Sequence, residues 1–390
     1  MKRAVVLGIA RSGQAAAALL ERHGVEVVRA DRTLGNDDDV SLLDGADVLV
    51  KSPGVPRSNA LVRSARIPIW SEVELAACFL PNPILGVTGT NGKTTTSEWL
   101  GAMFRAAGRP VAVAGNVGRP LSAVEAPENA WIVCELSSFQ LEDVHELRPH
   151  VAVLINLEPD HLDRHGTFDA YREAKLRIFE NQTADDAAVV PRGFEAVGRA
   201  RRIEFAPSDT LPAEPALPGA HNRENAAAAT AAARAAGVPD EAIADALRSF
   251  PGVAHRLELV AERGGVRFVN DSKATNTAAA RRALAAYDAQ LHVILGGSRK
   301  GEAFDELARE LRGRAYLIGE TAPELARALD RAGVPYVQAG DLETAVAAAA
   351  HAARPGEIVL LSPACASYDQ FRDFEQRGEE FRRLVQNLTG

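Results

Sequence analysis

The sequence predicts an α/β protein built from three doubly wound parts, and two observations predict it. Short apolar runs alternate with helical stretches from the N-terminus, and the alternation restarts at Ile84 and again after "FPGVAHR" (250–256). The chain has 390 residues, more than one ordinary core accommodates.

The first part opens with the strand "AVVLG" (4–8), the helix "SGQAAAALLERHG" (12–24) and the strand "VEVVRAD" (25–31), which ends on Asp31. A third strand, "DVLVKSPG" (47–54), runs into a turn. Ligands of such sheets bind at the carboxyl ends of the strands. Here those ends are Gly8–Gly13, Asp31–Thr33 and Ser52–Gly54. "GIARSG" (8–13) followed by Asp31 mimics a dinucleotide fingerprint, but its G-x-x-x-x-G spacing departs from G-x-G-x-x-G.

The second part supplies the strands "ILGVTG" (84–89), "VAVAG" (111–115), "WIVCELS" (131–137), "VAVLINL" (151–157) and "AAVVP" (187–191). Helices are expected at 167–180, 220–236 and 239–250, and the Pro-rich segment 206–219 reads as a surface loop. The third part begins with a hairpin (257–270) that turns at Gly264-Gly265. The strands "HVILGG" (292–297), "AYLIG" (315–319) and "EIVLLSPA" (357–364) follow, with helices between. The alternation implies parallel sheets in all three parts.

Composition excludes several classes. The hydrophobic fraction is 46% and the charged fraction 25%, as in globular proteins. No apolar run reaches the roughly 18 residues of a membrane span, and "MKRAVVLGIARSGQ" meets Gly and Arg too early to hold a signal-peptide core. Cys78, Cys134 and Cys365 are widely spaced, which suits a reducing cytoplasm and gives no disulfide or zinc framework. A net charge of −8 argues against general nucleic-acid binding. Of 44 Lys and Arg, six are lysines: Lys2, Lys51, Lys93, Lys175, Lys273 and Lys300. Where Arg is the default cation, a retained Lys points to a need for an amine, with chance survival the alternative and the expected explanation for Lys2 and Lys51.

The stretch "GVTGTNGKTTT" (86–96) joins a strand to a helix N-terminus, where unpaired N–H groups and the helix dipole favour a polyphosphate. Gly89 and Gly92 admit close backbone approach, Lys93 adds a point charge and Thr94 a hydroxyl for Mg²⁺. The alternative is an ordinary glycine turn. The spacing differs from G-x-x-x-x-G-K-[ST], because the glycine falls at 86 or 89 rather than 87. Glu135 ends a very apolar strand, and burying a carboxylate there without a partner is costly. No Walker-B-type strand is obvious.

"TGTNGKTTT" resembles the loop of the Mur ligases and of folylpolyglutamate synthetase, which use ATP to join a carboxylate to an amine. The resemblance runs through nearly the whole chain, in "AGNVG" (114–118), "ELSSFQLE" (135–142), "NLEPDHLDRHGTFDAYREAKLRIFENQ" (156–182), "GAHNRENAAAA" (219–229), "HRLE" (255–258), "NDSKATN" (270–276), "GGSRKG" (296–301) and "LLSPACASYDQFRDFEQRGEEF" (360–381). It is nearest to the branch of the family that adds D-glutamate to UDP-N-acetylmuramoyl-L-alanine.

The resemblance implies a Rossmann-like UDP-substrate domain (1–72), a P-loop ATPase-like domain (73–253) and a Rossmann-like amino-acid domain (254–390). It implies ATP contacts at Gly89, Thr90, Asn91, Gly92, Lys93, Thr94, Thr95, Asn222, Asn225, Arg256 and Asp271. UDP-substrate contacts are implied at Arg11, Ser12, Asp31, Arg32, Thr33, Ser52, Gly54 and Asn116, and D-glutamate contacts at Thr275, Lys300, Ser367, Tyr368 and Phe374. Two Mg²⁺ ions are implied at Thr94, Glu135, His161 and Lys175, with Lys175 carbamylated by CO₂, a reaction open to an amine and closed to a guanidinium. The catalytic set is then Lys93, Glu135, His161 and Lys175, in a cytoplasmic monomer of peptidoglycan precursor synthesis. Taken singly, His161 and Phe374 would pass as an ordinary loop His and a core Phe, and Lys175 as a surface cation beside Glu173.

Overall fold

The structure, a computed structural model, describes residues 1–195, 198–217, 219–299, 301 and 303–388. The chain divides into two compact units, Met1–Phe250 and Pro251–Gly390.

The first unit holds two parallel sheets. Across the smaller one the order is Glu26–Ala30, Arg3–Leu7, Val48–Lys51, Ile69–Ser71. Across the larger one it is Arg201–Phe205, Ala187–Pro191, Val151–Leu154, Ile84–Thr88, Trp131–Glu135, Val111–Gly115. Strand Ile84–Thr88 is buried along its whole length, as an inner strand covered on both faces must be. The Lys93–Ala106 helix packs against the Ala-rich helix Ala220–Ala235, whose buried alanines let the two approach closely.

The second unit holds one sheet, ordered Glu258–Arg263, Val266–Asn270, Ile358–Leu361, Leu291–Gly296, Gly313–Ile318, Tyr336–Gly340. Its first pair is the expected antiparallel hairpin, and the remaining pairs are parallel. The carboxyl ends of Val266–Asn270, Ile358–Leu361 and Leu291–Gly296 therefore stand side by side.

Three strands escape the sequence reading: Ile69–Ser71, Arg201–Phe205 and Tyr336–Gly340. Each lies at the edge of its sheet. Ile69–Ser71 is only three residues long and the other two interleave polar residues, so none shows the apolar run that marks the edge strands Glu26–Ala30 and Val111–Gly115. The helix expected over 167–180 ends at Leu176, and Arg177–Phe179 tightens into a 3₁₀ turn.

The two sheets of the first unit share one apolar cluster, which runs from Ala4 and Val6 through Val73, Leu75 and Ala76 to Ile132, Cys134 and Leu154. Buried acids stitch the same seam. Glu72 accepts from the Ser122 N–H and hydroxyl, both at 2.6 Å, and Glu74 accepts from the N–H groups of Glu146 and Leu147. Lys51, at the end of its strand and 1% exposed, meets Asp143 at 2.8 Å. Removing one partner of such a pair strands a charge in the interior, at a cost of about 3–5 kcal/mol. Asp143→Asn is therefore expected to lower the urea midpoint of the protein markedly. The double variant Lys51→Met/Asp143→Leu should recover most of that loss, as read by urea titration.

Candidate active site

The inner strand Ile84–Thr88 delivers the loop 89–92 to the start of the Lys93–Ala106 helix. Gly89 and Gly92 hold φ of 156° and 81°, which favour glycine. A Cβ on Gly92 would lie 2.0 Å from Asn225 Oδ1, so the first turns of the Ala220–Ala235 helix press directly on the loop. Asn222 stands on that same first turn. The loop is held from its other side by residue Asn156, just past the neighbouring strand. Asn91 N–H donates to Asn156 Oδ1 at 2.9 Å and Thr90 N–H to the Asn156 carbonyl at 3.1 Å. The Thr90 hydroxyl lies 3.0 Å from the Tyr171 hydroxyl. Thr94 and Thr95 are buried at the helix start.

Two lysines converge on one carbonyl. Lys93 Nζ donates to the Gly89 and Thr90 carbonyls, both at 2.9 Å, and Lys175 Nζ donates to the same Gly89 carbonyl at 2.8 Å. Lys175 is 2% exposed and lies over the Tyr171 ring. Burial pulls its amine down to about 6, and the charge of Lys93 adds to the fall, while Asp160 and Glu135 act in the opposite sense. Glu135 is buried at the end of the strand beside the loop strand, and accepts from the Asn116 amide at 2.9 Å. Beyond the sequence expectation, the strand carrying Glu135 pairs directly with the strand that leads into the phosphate loop. His161 caps a one-turn helix, Leu162–His165, at φ 51°, with its ring 3.6 Å from Asp160 and packed on Phe139.

Among the described residues no three His, Cys, Asp or Glu side chains cluster as a ready metal cage. Mg²⁺ is commonly held by one or two carboxylates together with substrate phosphates. Glu135, with the Thr94 hydroxyl, fits that pattern.

At the edge of the smaller sheet Asp31 is fully engaged inside the protein. It accepts from Ile9 N–H at 2.8 Å and from the Thr33 N–H and hydroxyl at 2.8 and 2.7 Å, and these bonds hold its carboxyl below the usual range. Ser52 donates its hydroxyl to the Gly8 carbonyl at 2.6 Å, locking the two glycine-bearing turns together. Arg11 reaches the Gly118 carbonyl at 3.2 Å. Gly54 lies in the turn that follows Ser52, and Arg32 with Thr33 forms a single 3₁₀ turn after Asp31. Ser12 lies on the first turn of the Arg11–Arg22 helix.

In the second unit, His255 and Leu257 flank Arg256 at φ 62° and 44°. Asp271 accepts from the Ser362 hydroxyl at 2.8 Å and from Leu257 N–H at 3.2 Å, and burial pushes its carboxyl up to about 7. Lys273 lies 5.9 Å from the Phe374 ring, and Thr275 follows on the same loop. Ser367 is 2% exposed whereas Tyr368 is 75% exposed, so neighbours in sequence do not share one wall. Lys300 lies outside the described residues. The residue that organises this edge is Arg377, which the sequence reading missed. Buried at 1%, it donates to the Ser272 hydroxyl and carbonyl and to the Cys365 and Ala366 carbonyls. Burial pulls its guanidinium down to about 10.

Residues 87–201 match the Mur ligase middle domain, and residues 255–365 match the Mur ligase glutamate ligase domain. The UDP-N-acetylmuramoylalanine--D-glutamate ligase of Acidobacterium capsulatum is 42% identical, over 98% of this chain and 96% of its own length. The enzyme of the same name from Pelotomaculum thermopropionicum is 41% identical, over 99% and 98%. The chain belongs to the Mur ligase family.

Solved structures share the fold at low identity. UDP-N-acetylmuramate-alanine ligase of Thermotoga maritima superposes with a TM-score of 0.62 at 19% identity, over 99% of both chains. E. coli FolC in complex with DHPP and ADP superposes with a TM-score of 0.57 at 19% identity, over 80% of this chain and 92% of its own. In this Mur ligase the fit of Asn225 against Gly92 makes a direct test of the loop. Gly92→Ala is expected to weaken MgATP binding by about tenfold or more, because its Cβ displaces Asn225 and its φ is strained. Calorimetric titration with MgATP measures this.

Proposed function

We propose that this Mur ligase joins the amine of D-glutamate to the carboxylate of UDP-N-acetylmuramoyl-L-alanine at the expense of ATP. A carboxylate is not electrophilic, so it must first be activated. The alanyl carboxylate attacks the γ-phosphorus of ATP, ADP leaves, and the D-glutamate amine displaces phosphate from the resulting acyl phosphate. The observation that carries the reading is the glycine loop with Lys93 and the buried amine of Lys175 on one carbonyl. It is supported by full-length relatives named for this reaction.

The chain's own part is positioning and charge. Lys93 is assigned to the charge that develops on the transferred phosphoryl group. Asn222, Asn225, Arg256 and Asp271 are assigned to the rest of ATP. Arg11, Ser12, Asp31, Arg32, Thr33, Ser52, Gly54 and Asn116 are assigned to the UDP-sugar edge, with Asp31 acting through the backbone it organises. Thr275, Lys300, Ser367, Tyr368 and Phe374 are assigned to D-glutamate. Mg²⁺, held by Thr94, Glu135, His161 and a modified Lys175, would supply positive charge to the phosphate oxygens.

Modification follows from the state of Lys175. With its amine drawn to about 6, it is mostly neutral at pH 7.5, and a neutral amine adds CO₂ and loses a proton to give a carbamate. That replaces an uncharged nitrogen donor with an anionic oxygen ligand, the kind Mg²⁺ prefers. Below about pH 6 the amine is protonated and the route closes, so at limiting CO₂ activity should fall as pH drops through that value. The chain is taken as three modules, 1–72, 73–253 and 254–390, working as a monomer in the cytoplasm.

The primary test supplies ATP, Mg²⁺, UDP-N-acetylmuramoyl-L-alanine and one amino acid at a time. A new amide, detected by mass, should form with D-glutamate. ATP turnover independent of the amino acid would instead identify a nucleotide switch. Lys175→Ala is expected to lose activity by about a hundredfold or more and to regain part of it with short-chain carboxylic acids. Lys175→Arg should show no rescue, because its cation stays in place. Ser367→Ala should chiefly raise KM for D-glutamate and leave that for ATP unchanged, as steady-state kinetics would report.

A further inference from the structure

We infer that Arg164 is a positioning residue that couples occupancy of the UDP-sugar edge to the catalytic loop at His161; the inference rests on the function proposed above. Arg164 lies on the one-turn helix Leu162–His165 of the larger-sheet region, yet its guanidinium reaches the turn that ends the third strand of the smaller sheet. Nη2 donates to the Val55 carbonyl at 3.0 Å and Nη1 to the Pro53 carbonyl at 3.5 Å. The same turn begins at Ser52, which is tied to Gly8. The contacts therefore fall on the backbone that lines the substrate edge.

The other face of Arg164 is held by the larger-sheet region. Its guanidinium lies 4.8 Å from the centre of the Phe139 ring, and the same ring packs on His161 at 4.9 Å and stacks on His165 at 5.5 Å. Glu142 Oε2 stands 3.6 Å from Arg164 and 3.4 Å from Arg57, which lies two residues beyond Val55. Glu142 Oε1 is 3.2 Å from His165 Nδ1, and His165 Nε2 is 3.0 Å from the Ser138 hydroxyl. Charges from both sides of the seam thus meet at one carboxylate.

The helix Leu162–His165 has four residues, with His161 in the left-handed region before it and Gly166 at φ 78° after it. A non-glycine residue at such a φ costs on the order of 1–3 kcal/mol and persists only where its surroundings hold it. Arg164 and His165 tie this turn to the 52–55 backbone, Phe139 and Glu142, so a shift of the 52–55 turn would be passed to His161. The planar fork presents separate N–H groups to the Pro53 and Val55 carbonyls and to Glu142, a spread that the single nitrogen of Lys reproduces only in part.

The test measures coupling between ligands. Binding of a non-hydrolysable MgATP analogue is titrated calorimetrically with and without UDP-N-acetylmuramoyl-L-alanine. The UDP-sugar should tighten the analogue in the wild type by at least about fivefold. In Arg164→Gln that factor should fall below about twofold, with each ligand alone binding within about threefold of wild type. Arg164→Lys and Glu142→Gln should fall between. They decide the matter if Arg164→Gln fails to fold. Coupling retained in the variants, or absent from the wild type, overturns the inference. A wild-type protein that forms no amide overturns the functional reading and the inference with it. Amide formation with undiminished coupling in the variants defeats the inference alone.

Discussion

The carbonyl of Gly89 accepts from two lysines, and the chemistry assigned to this protein depends on that sharing. Burial pulls the Lys175 amine down, and the charge of Lys93 at the same oxygen adds to the fall. Lys93 sits at a helix start beside the phosphate cradle and keeps the exposure a point charge needs. Lys175 is enclosed by Tyr171 and the loop, and burial lowers its amine to about 6. The strand, the glycines that let the loop turn, and Asn156 and Asn225 that clasp it all fix the position of that carbonyl.

Strain collects where ligands are expected. His161, His255, Leu257 and Ala364 are the non-glycine residues with positive φ among the described residues. Each lies in a segment beyond the carboxyl end of a strand or at the start of the second unit, close in sequence to residues assigned to ATP, metal or amino acid. The surrounding hydrogen bonds over-determine these positions, as Arg377 does for the segment that follows Ala364.

The inner strands, the hairpin and the phosphate loop were legible in the sequence because their signals are local: an apolar run, a Gly-Gly turn, glycines before Lys-Thr. The scarcity of lysine pointed to Lys175, and its burial gives a physical reason for the amine. The edge strands Glu26–Ala30 and Val111–Gly115 were legible from their valines, whereas Ile69–Ser71, Arg201–Phe205 and Tyr336–Gly340 are too short or too polar to give an apolar run. Arg377, Arg164 and Glu142 were missed for another reason. They act through partners far away in sequence, and in a chain that uses Arg for nearly every cation their spacing distinguishes none of them. Asp31 was found, but its self-contained hydrogen bonding could be read only from the fold.

The shared apolar cluster of the first unit bears on how such a protein can change over evolutionary time. The smaller sheet has no closed core of its own on the side of Val73, Leu75 and Ala76, and its packing there is completed by Ile132, Cys134 and Leu154 of the larger sheet. It is therefore not a cassette that recombination could exchange without new apolar partners on the larger sheet. New specificity at that edge has to arise by point substitution and loop-length change within a seam that both sheets constrain.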